Sequence, residues 1–186
     1  DHGLADFNPA KGLAGEKVKR TKRRAFRKDE LDRVFAPLVA ERQAGSYKFW
    51  VPALLAFLGC RMNEACQLRT ADMKEHGGIA YLDLSLFDEE GVRVDDKRLK
   101  TAHSERCVPL HPELIKAGFL DFVESRRAAG QDRLFPELKP DAKGVYSTEP
   151  SKWFGRHCGR VGLNEPSLVG HSLRHGFRDA GRAARI

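Results

Sequence analysis

Eight residues late in the chain, Gly170-His171-Ser172-Leu173-Arg174-His175-Gly176-Phe177, carry the side chains best suited to chemistry. His171 and Arg174 stand three positions apart, so on a helix both project from nearly the same face. An imidazole beside a guanidinium suits one task well, which is gripping a phosphate and moving protons around it. Two further candidates lie upstream: Arg61, in a helical context with Glu64 three residues on, and Lys100, just before a turn. A metal is not expected. His171 and His175 are four apart, half of a zinc-protease pattern, but Ser172 occupies the place of the catalytic glutamate and no third ligand is evident. Taken singly, each candidate has an ordinary reading: a surface ion pair for Arg61 and Glu64, a solvated Lys100, a helix-capping His171.

The elements that position these residues are mostly helical. Asp29 is expected to cap a helix whose apolar stripe is Leu31, Val34, Phe35, Leu38 and Val39, with Pro37 bending or splitting it. A second helix is expected from Tyr47 to Leu58, broken by Gly59, and Arg61 to Leu68 resumes as a short one. Strand-like runs follow at Ile79 to Leu86 and Arg106 to Leu110, with Arg98-Leu99-Lys100 as a strand end between them. Pro112 to Ala129 reads as one helix, with Leu114, Ile115, Phe119, Phe122 and Val123 inward and Gly130 as terminator. Thr148 to Arg160 reads as another, with Lys152, Arg156 and Arg160 forming a basic ridge opposite Trp153 and Phe154. The last helix begins between Ser167 and His171 and is expected to bury Leu173, Phe177, Ala180 and Ala184, leaving Arg174, Arg178 and Arg182 along one stripe. The fold class is therefore α+β, mainly α, with a small antiparallel sheet.

Composition fits an ordinary globular protein of 186 residues, 41% hydrophobic and 32% charged, large enough for one core. The longest apolar run, Trp50 to Leu58, is far below the roughly 20 residues of a membrane span. Cys60, Cys66, Cys107 and Cys158 form no Cys-x-x-Cys pair and read as reduced thiols in or near the core. The net charge of +7 is concentrated in one segment: Lys17, Lys19, Arg20, Lys22, Arg23, Arg24, Arg27 and Lys28 face a single acid, Glu16. Such a segment is either a nucleic-acid contact or a solvated linker, and residues 1–28 read as an interdomain linker ahead of a domain at 29–186.

In order along the chain, these pieces resemble the tyrosine recombinase (phage integrase-type) family. Leu58-Gly59-Cys60-Arg61-Met62-Asn63-Glu64-Ala65 resembles its first arginine box, Gly-x-Arg-x-x-Glu. Leu99 to Leu110 resembles its lysine hairpin, a Lys before a turn and an Arg-x-Val-Pro-Leu strand, and His171-Ser172-Leu173-Arg174-His175 resembles its His-x-x-Arg box. Each box is weak alone; the three in one order are specific. The resemblance implies a helical catalytic domain, as in these enzymes and the type IB topoisomerases, with a small sheet carrying the lysine hairpin. It also implies that a tyrosine attacks a DNA phosphodiester to give a 3′-phosphotyrosyl bond and a free 5′-hydroxyl. Arg61 and Arg174 would clamp the non-bridging oxygens, His171 would bond the same phosphate, Lys100 would protonate the leaving oxygen, and Glu64 would orient Arg61. No cofactor is implied.

Lys17, Lys19, Arg20, Lys22, Arg23, Arg24, Lys152, Arg156, Arg160 and Arg178 are the expected contacts to double-stranded DNA, with further protomers completing a tetrameric synapse. The family's nucleophilic tyrosine lies downstream of the His-x-x-Arg helix. Here Tyr47, Tyr81 and Tyr146 all precede His171, and the sequence stops twelve residues after Arg174. The expectation is thus a catalytic domain truncated before its nucleophile, preceded by the tail of a missing core-binding domain, and inactive as it stands. The opening residues Asp1-His2-Gly3-Leu4-Ala5 do not have the layout of a signal peptide, and a DNA-associated location in a prokaryotic cytoplasm is expected. The alternatives are a type IB topoisomerase-like enzyme and a non-catalytic DNA-binding module that kept the fold.

Overall fold

Local punctuation explains most of the helices in the computed structural model, which describes residues 22–88, 90–101 and 104–184. Helix α1 (Lys28–Phe35) starts two residues earlier than a cap at Asp29 would place it, with Arg27 as its N-cap. Its first turn is closed by Glu30, whose carboxylate accepts the Arg27 N–H at 2.8 Å, and Asp29 lies inside that turn. Pro37 splits the helical run as expected: a 3-10 turn over Ala36–Leu38 leads into α2 (Val39–Gln43). Val34 and Leu38 enter the core, but Val39 does not; the split turns it to solvent. Before α1 the chain is already folded, since Phe26 is buried and meets Phe154 edge-on at 6.2 Å.

The central element is α3 (Tyr47–Leu58), capped by Ser46, whose Oγ accepts the Lys48 N–H at 3.2 Å. It is apolar on nearly every side, and Trp50, Val51, Leu54 and Leu55 are fully buried, as a helix at the centre of a small domain requires. Gly59 ends it in the left-handed conformation, φ 61°, and α4 (Met62–Cys66) follows after Cys60 and Arg61.

The sheet is three-stranded and antiparallel in the order β1 (Met73–His76), β2 (Ile79–Asp83), β3 (Cys107–Pro109). Gly77 and Gly78, both at positive φ, make the tight turn between β1 and β2, with Met73 opposite Leu82; Leu82 in turn faces Val108. Strand β1 has no signature in the sequence, because Met73-Lys74-Glu75-His76 carries neither alternation nor β-branched residues. The segment Arg98-Leu99-Lys100 is not a strand end. Its backbone is held by a side chain instead: Gln67 accepts the Arg98 N–H at 2.9 Å and donates to the Arg98 carbonyl at 3.0 Å.

The expected helix from Pro112 to Ala129 is two, α5 (Pro112–Lys116) and α6 (Phe119–Ala128), because Gly118 turns at φ 85°. The break swings Ile115 outward, whereas Leu114, Phe119, Phe122 and Val123 are buried as expected. α7 (Thr148–Arg160) has its anticipated bounds, and α8 (Gly170–Ala183) packs on α3 and α7. Only the first part of α8 is buried: Leu173 is in the core, Phe177 is 40% exposed, and Ala180 and Ala184 face solvent. Cys60, Cys66 and Cys158 are buried, while Cys107 is exposed at the sheet edge. Among the described residues no helix is long and apolar enough to cross a membrane.

Candidate active site

Two glycines dock α8 onto the turn that carries Arg61. A Cβ on Gly59 would overlap the Phe177 ring, and one on Gly170 would overlap the Met62 Cε. These contacts flank Arg61 on one side and His171 and Arg174 on the other, so the first and last boxes share one face. The electrostatics show their closeness. Burial and the positive charges of Arg61 and Arg106 lower the Arg174 guanidinium from its ordinary value, while Glu64 opposes them. His171 is lowered by partial burial, then by His175, Arg174, Arg23 and Arg61, which favours the neutral imidazole. Its ring meets His175 edge-on at 4.9 Å.

Glu64 is the hub of the site. Its carboxylate is almost fully buried and accepts the Arg61 backbone N–H at 2.8 Å, Arg61 Nη1 at 2.7 Å and Arg106 Nη2 at 2.8 Å. Burial pushes this carboxyl up, but the bonds from Arg106 and Arg61 outweigh it and hold the group below the ordinary carboxylate range. Around this single carboxylate gather Arg61, Arg106 and Arg174, each part-exposed. One negative charge cannot balance three guanidiniums, so the site is a preorganised well for an anion.

Lys100 lies on an exposed loop. Its flanks are anchored: Lys97 pairs with Asp72 at 2.6 Å, Arg98 is gripped by Gln67, and Thr101 Oγ1 bonds Ser104 Oγ at 2.9 Å. Ser104 Oγ in turn accepts Arg61 Nη1 at 2.8 Å. Arg61, His171, Arg174 and Glu64 are therefore brought together, and Lys100 is linked to them through its neighbours.

Sequence reasoning assigned no role to Arg106 or Ser104. Both lie in the Lys-turn-Arg-x-Val-Pro-Leu stretch, and the signal available was their spacing from Lys100. Arg23 enters the site more closely than its place in a basic run suggests, because it borders, with His171, Met62 and Ser151, a cleft of about 290 Å³. Arg24 is different. Its guanidinium bonds buried Glu30 at 2.7 and 2.8 Å and also pairs with Glu165, so it ties the start of the domain to the loop before α8. This guanidinium, expected among the DNA contacts, is part-exposed and already bonded to two acids. Lys22, Arg156, Arg160 and Arg178 are exposed, and exposed Lys152 pairs with Glu149 at 2.9 Å. Lys17, Lys19 and Arg20 lie outside the described residues.

The architecture is similar to that of solved recombinases. XerA recombinase superposes with a TM-score of 0.56 at 18% identity, over 89% of this chain and 52% of that one. XerH site-specific recombinase bound to its difH substrate gives 0.56 at 19%, over 91% and 46%. The Tn1549 transposon integrase in complex with transposon right-end DNA gives 0.58 at 17%, over 97% and 59%. The fold is that of a tyrosine recombinase catalytic domain. The chain spans about half the length of these structures. No family model and no curated protein matches the sequence.

Proposed function

We propose that this chain is the catalytic domain of a site-specific DNA recombinase that cuts and rejoins strands through a 3′-phosphotyrosyl intermediate. The observation that carries this reading is the gathering of Arg61, Arg106 and Arg174 around one buried carboxylate, beside a His171 biased to its neutral form. A phosphodiester brings the missing negative charge, and the five-coordinate transition state brings more.

Arg61 and Arg174 bind the non-bridging oxygens, while Glu64 and Ser104 hold Arg61 in place. The tyrosine oxygen forms its bond to phosphorus as the bond to O5′ breaks. Neutral His171 donates its ring N–H to a non-bridging oxygen and offers its other ring nitrogen to the tyrosine proton as the O–P bond forms, and Lys100 Nζ delivers a proton to O5′. Bond energy kept in the phosphotyrosine makes rejoining independent of ATP.

The nucleophile in this reading comes from sequence other than these 186 residues. Tyr47 packs on Trp153 at 5.9 Å, and its burial raises the phenol, the wrong direction for a nucleophile. Tyr146 is buried beneath Arg133, and Tyr81 sits in β2 opposite Lys74 and Pro109. Double-stranded DNA is the partner, with further protomers forming the synapse, in a prokaryotic cytoplasm.

The test is a nicked suicide substrate offered to the chain as it stands and to the chain joined to its tyrosine-bearing continuation. The reading expects a covalent protein–DNA adduct from the second only, unaffected by EDTA and lost with Arg174→Ala. An adduct formed by the 186-residue chain alone would overturn the placement of the nucleophile.

A further inference from the structure

One buried hydroxyl joins the Lys100 loop to the arginine cluster. Ser104 is 3% exposed. Its Oγ accepts Arg61 Nη1 at 2.8 Å and shares a hydrogen bond with Thr101 Oγ1 at 2.9 Å. Its carbonyl accepts Arg106 Nη1 at 2.8 Å, and its N–H bonds the Thr101 carbonyl at 3.0 Å. Both arginines end on Glu64, which fixes their positions. A hydroxyl offers one proton and two lone pairs, so Ser104 can serve a guanidinium and a second hydroxyl at the same time. Alanine can do neither, and threonine can do both.

The consequence concerns Lys100, the residue directly before Thr101. Its loop is pinned on one side by Gln67 at Arg98 and on the other by Ser104. The second pin ends on Arg61 itself. We propose that Ser104 is a positioning residue, whose hydroxyl sets the Lys100 loop in register with the Arg61 guanidinium so that a phosphate held by Arg61 presents its leaving oxygen to Lys100. This inference rests on the reading of Lys100 as proton donor. Ser104 then acts through Lys100, on departure of the leaving group, and leaves phosphate binding to Arg61 and Arg174.

The leaving group separates these roles. With oxygen at the bridging 5′ position, the P–O5′ bond breaks as Lys100 Nζ protonates O5′. With sulfur there, the thiolate departs without a proton, so an acid is not needed. In the protein joined to its tyrosine-bearing continuation, Ser104→Ala should slow cleavage of the oxygen substrate roughly 10- to 100-fold, the scale of a misplaced catalytic group. On the 5′-phosphorothiolate substrate the same variant should cleave within a few-fold of the parent. Lys100→Ala should show the same contrast, Ser104→Thr should behave as the parent, and Arg61→Ala should be slow on both substrates. A Ser104→Ala loss of equal size on both substrates would place its effect on Arg61 and overturn the proposal, as would no loss at all.

A parent that forms no adduct with either substrate overturns the recombinase reading, and the clasp is then judged without chemistry. Hydrogen exchange on the 186-residue chain should show the Ser104 amide exchanging at least about tenfold faster in Ser104→Ala, with the β2–β3 amides unchanged. Unchanged exchange at this amide would overturn the clasp itself.

Discussion

Gly59 and Phe177 meet so closely that no β-carbon fits between them. This contact seats α8 on the turn leading to Arg61, and through it the two arginine boxes acquire a fixed separation. Gly59 is also at φ 61°, where an L side chain is strained. Gly59→Ala should therefore destabilise the domain by about 3 kcal/mol, from strain plus overpacking against the ring. Adding Phe177→Ala should recover part of that loss, since Phe177 is itself 40% exposed. Chemical denaturation of the single and double variants checks this; strictly additive losses would mean that the clash does not set the position of α8.

Glu64 neutralises a cluster of guanidiniums from a buried position. Glu64→Ala should cost about 3 kcal/mol, because three mutually repelling cations lose the buried carboxylate that they surround. The pH dependence has a definite sign. The folded carboxyl lies below its unfolded value of 4.5, so its contribution is complete above that value and is lost as pH falls through the depressed one. Denaturation between neutral and acid pH should show the Glu64→Ala penalty shrinking towards low pH.

His171 should titrate below the ordinary histidine value of 6.5. The native state binds fewer protons than the unfolded chain across that interval, so this group makes stability rise with pH there. Imidazole NMR titration should show the midpoint climbing when Arg174→Ala removes a neighbouring charge. A midpoint that ignores that substitution would mean that the Arg174 charge does not reach the His171 ring.

Binding to duplex DNA should weaken steeply with salt, since exposed Lys22, Arg23, Arg156, Arg160 and Arg178 meet phosphates in the proposed complex. Neutralising Arg156 and Arg160 should lower affinity for all sequences alike and flatten the salt slope by about 0.9 for each phosphate no longer neutralised. Arg24→Ala should act differently. It should lower folding stability by removing one of the two arginines that hold buried Glu30, Arg27 remaining, with little change in the salt slope.

Much of this was legible in the residues because the signals were local. Gly59 closing α3, Pro37 splitting the first helix, and the i, i+3 spacing of His171 and Arg174 each act within a turn of chain. What escaped was tertiary. Gln67 replaces a strand partner for Arg98 across 31 residues, and Ser104 meets Arg61 across 43, with no periodicity to announce either. Arg24 read as one more cation in a basic run, and only packing reveals Glu30 and Glu165 around it. Phe177 has the spacing of a core residue, yet its partner is a glycine that leaves the ring half open to water.

The central claim is that Arg61, His171 and Arg174 grip a single phosphate, and a crystal structure of the chain bound to duplex DNA tests it most directly. One backbone phosphate should lie with its non-bridging oxygens within hydrogen-bonding distance of both guanidiniums and the His171 ring. Duplex bound elsewhere on the domain, with no phosphate between Arg61 and Arg174, would contradict it.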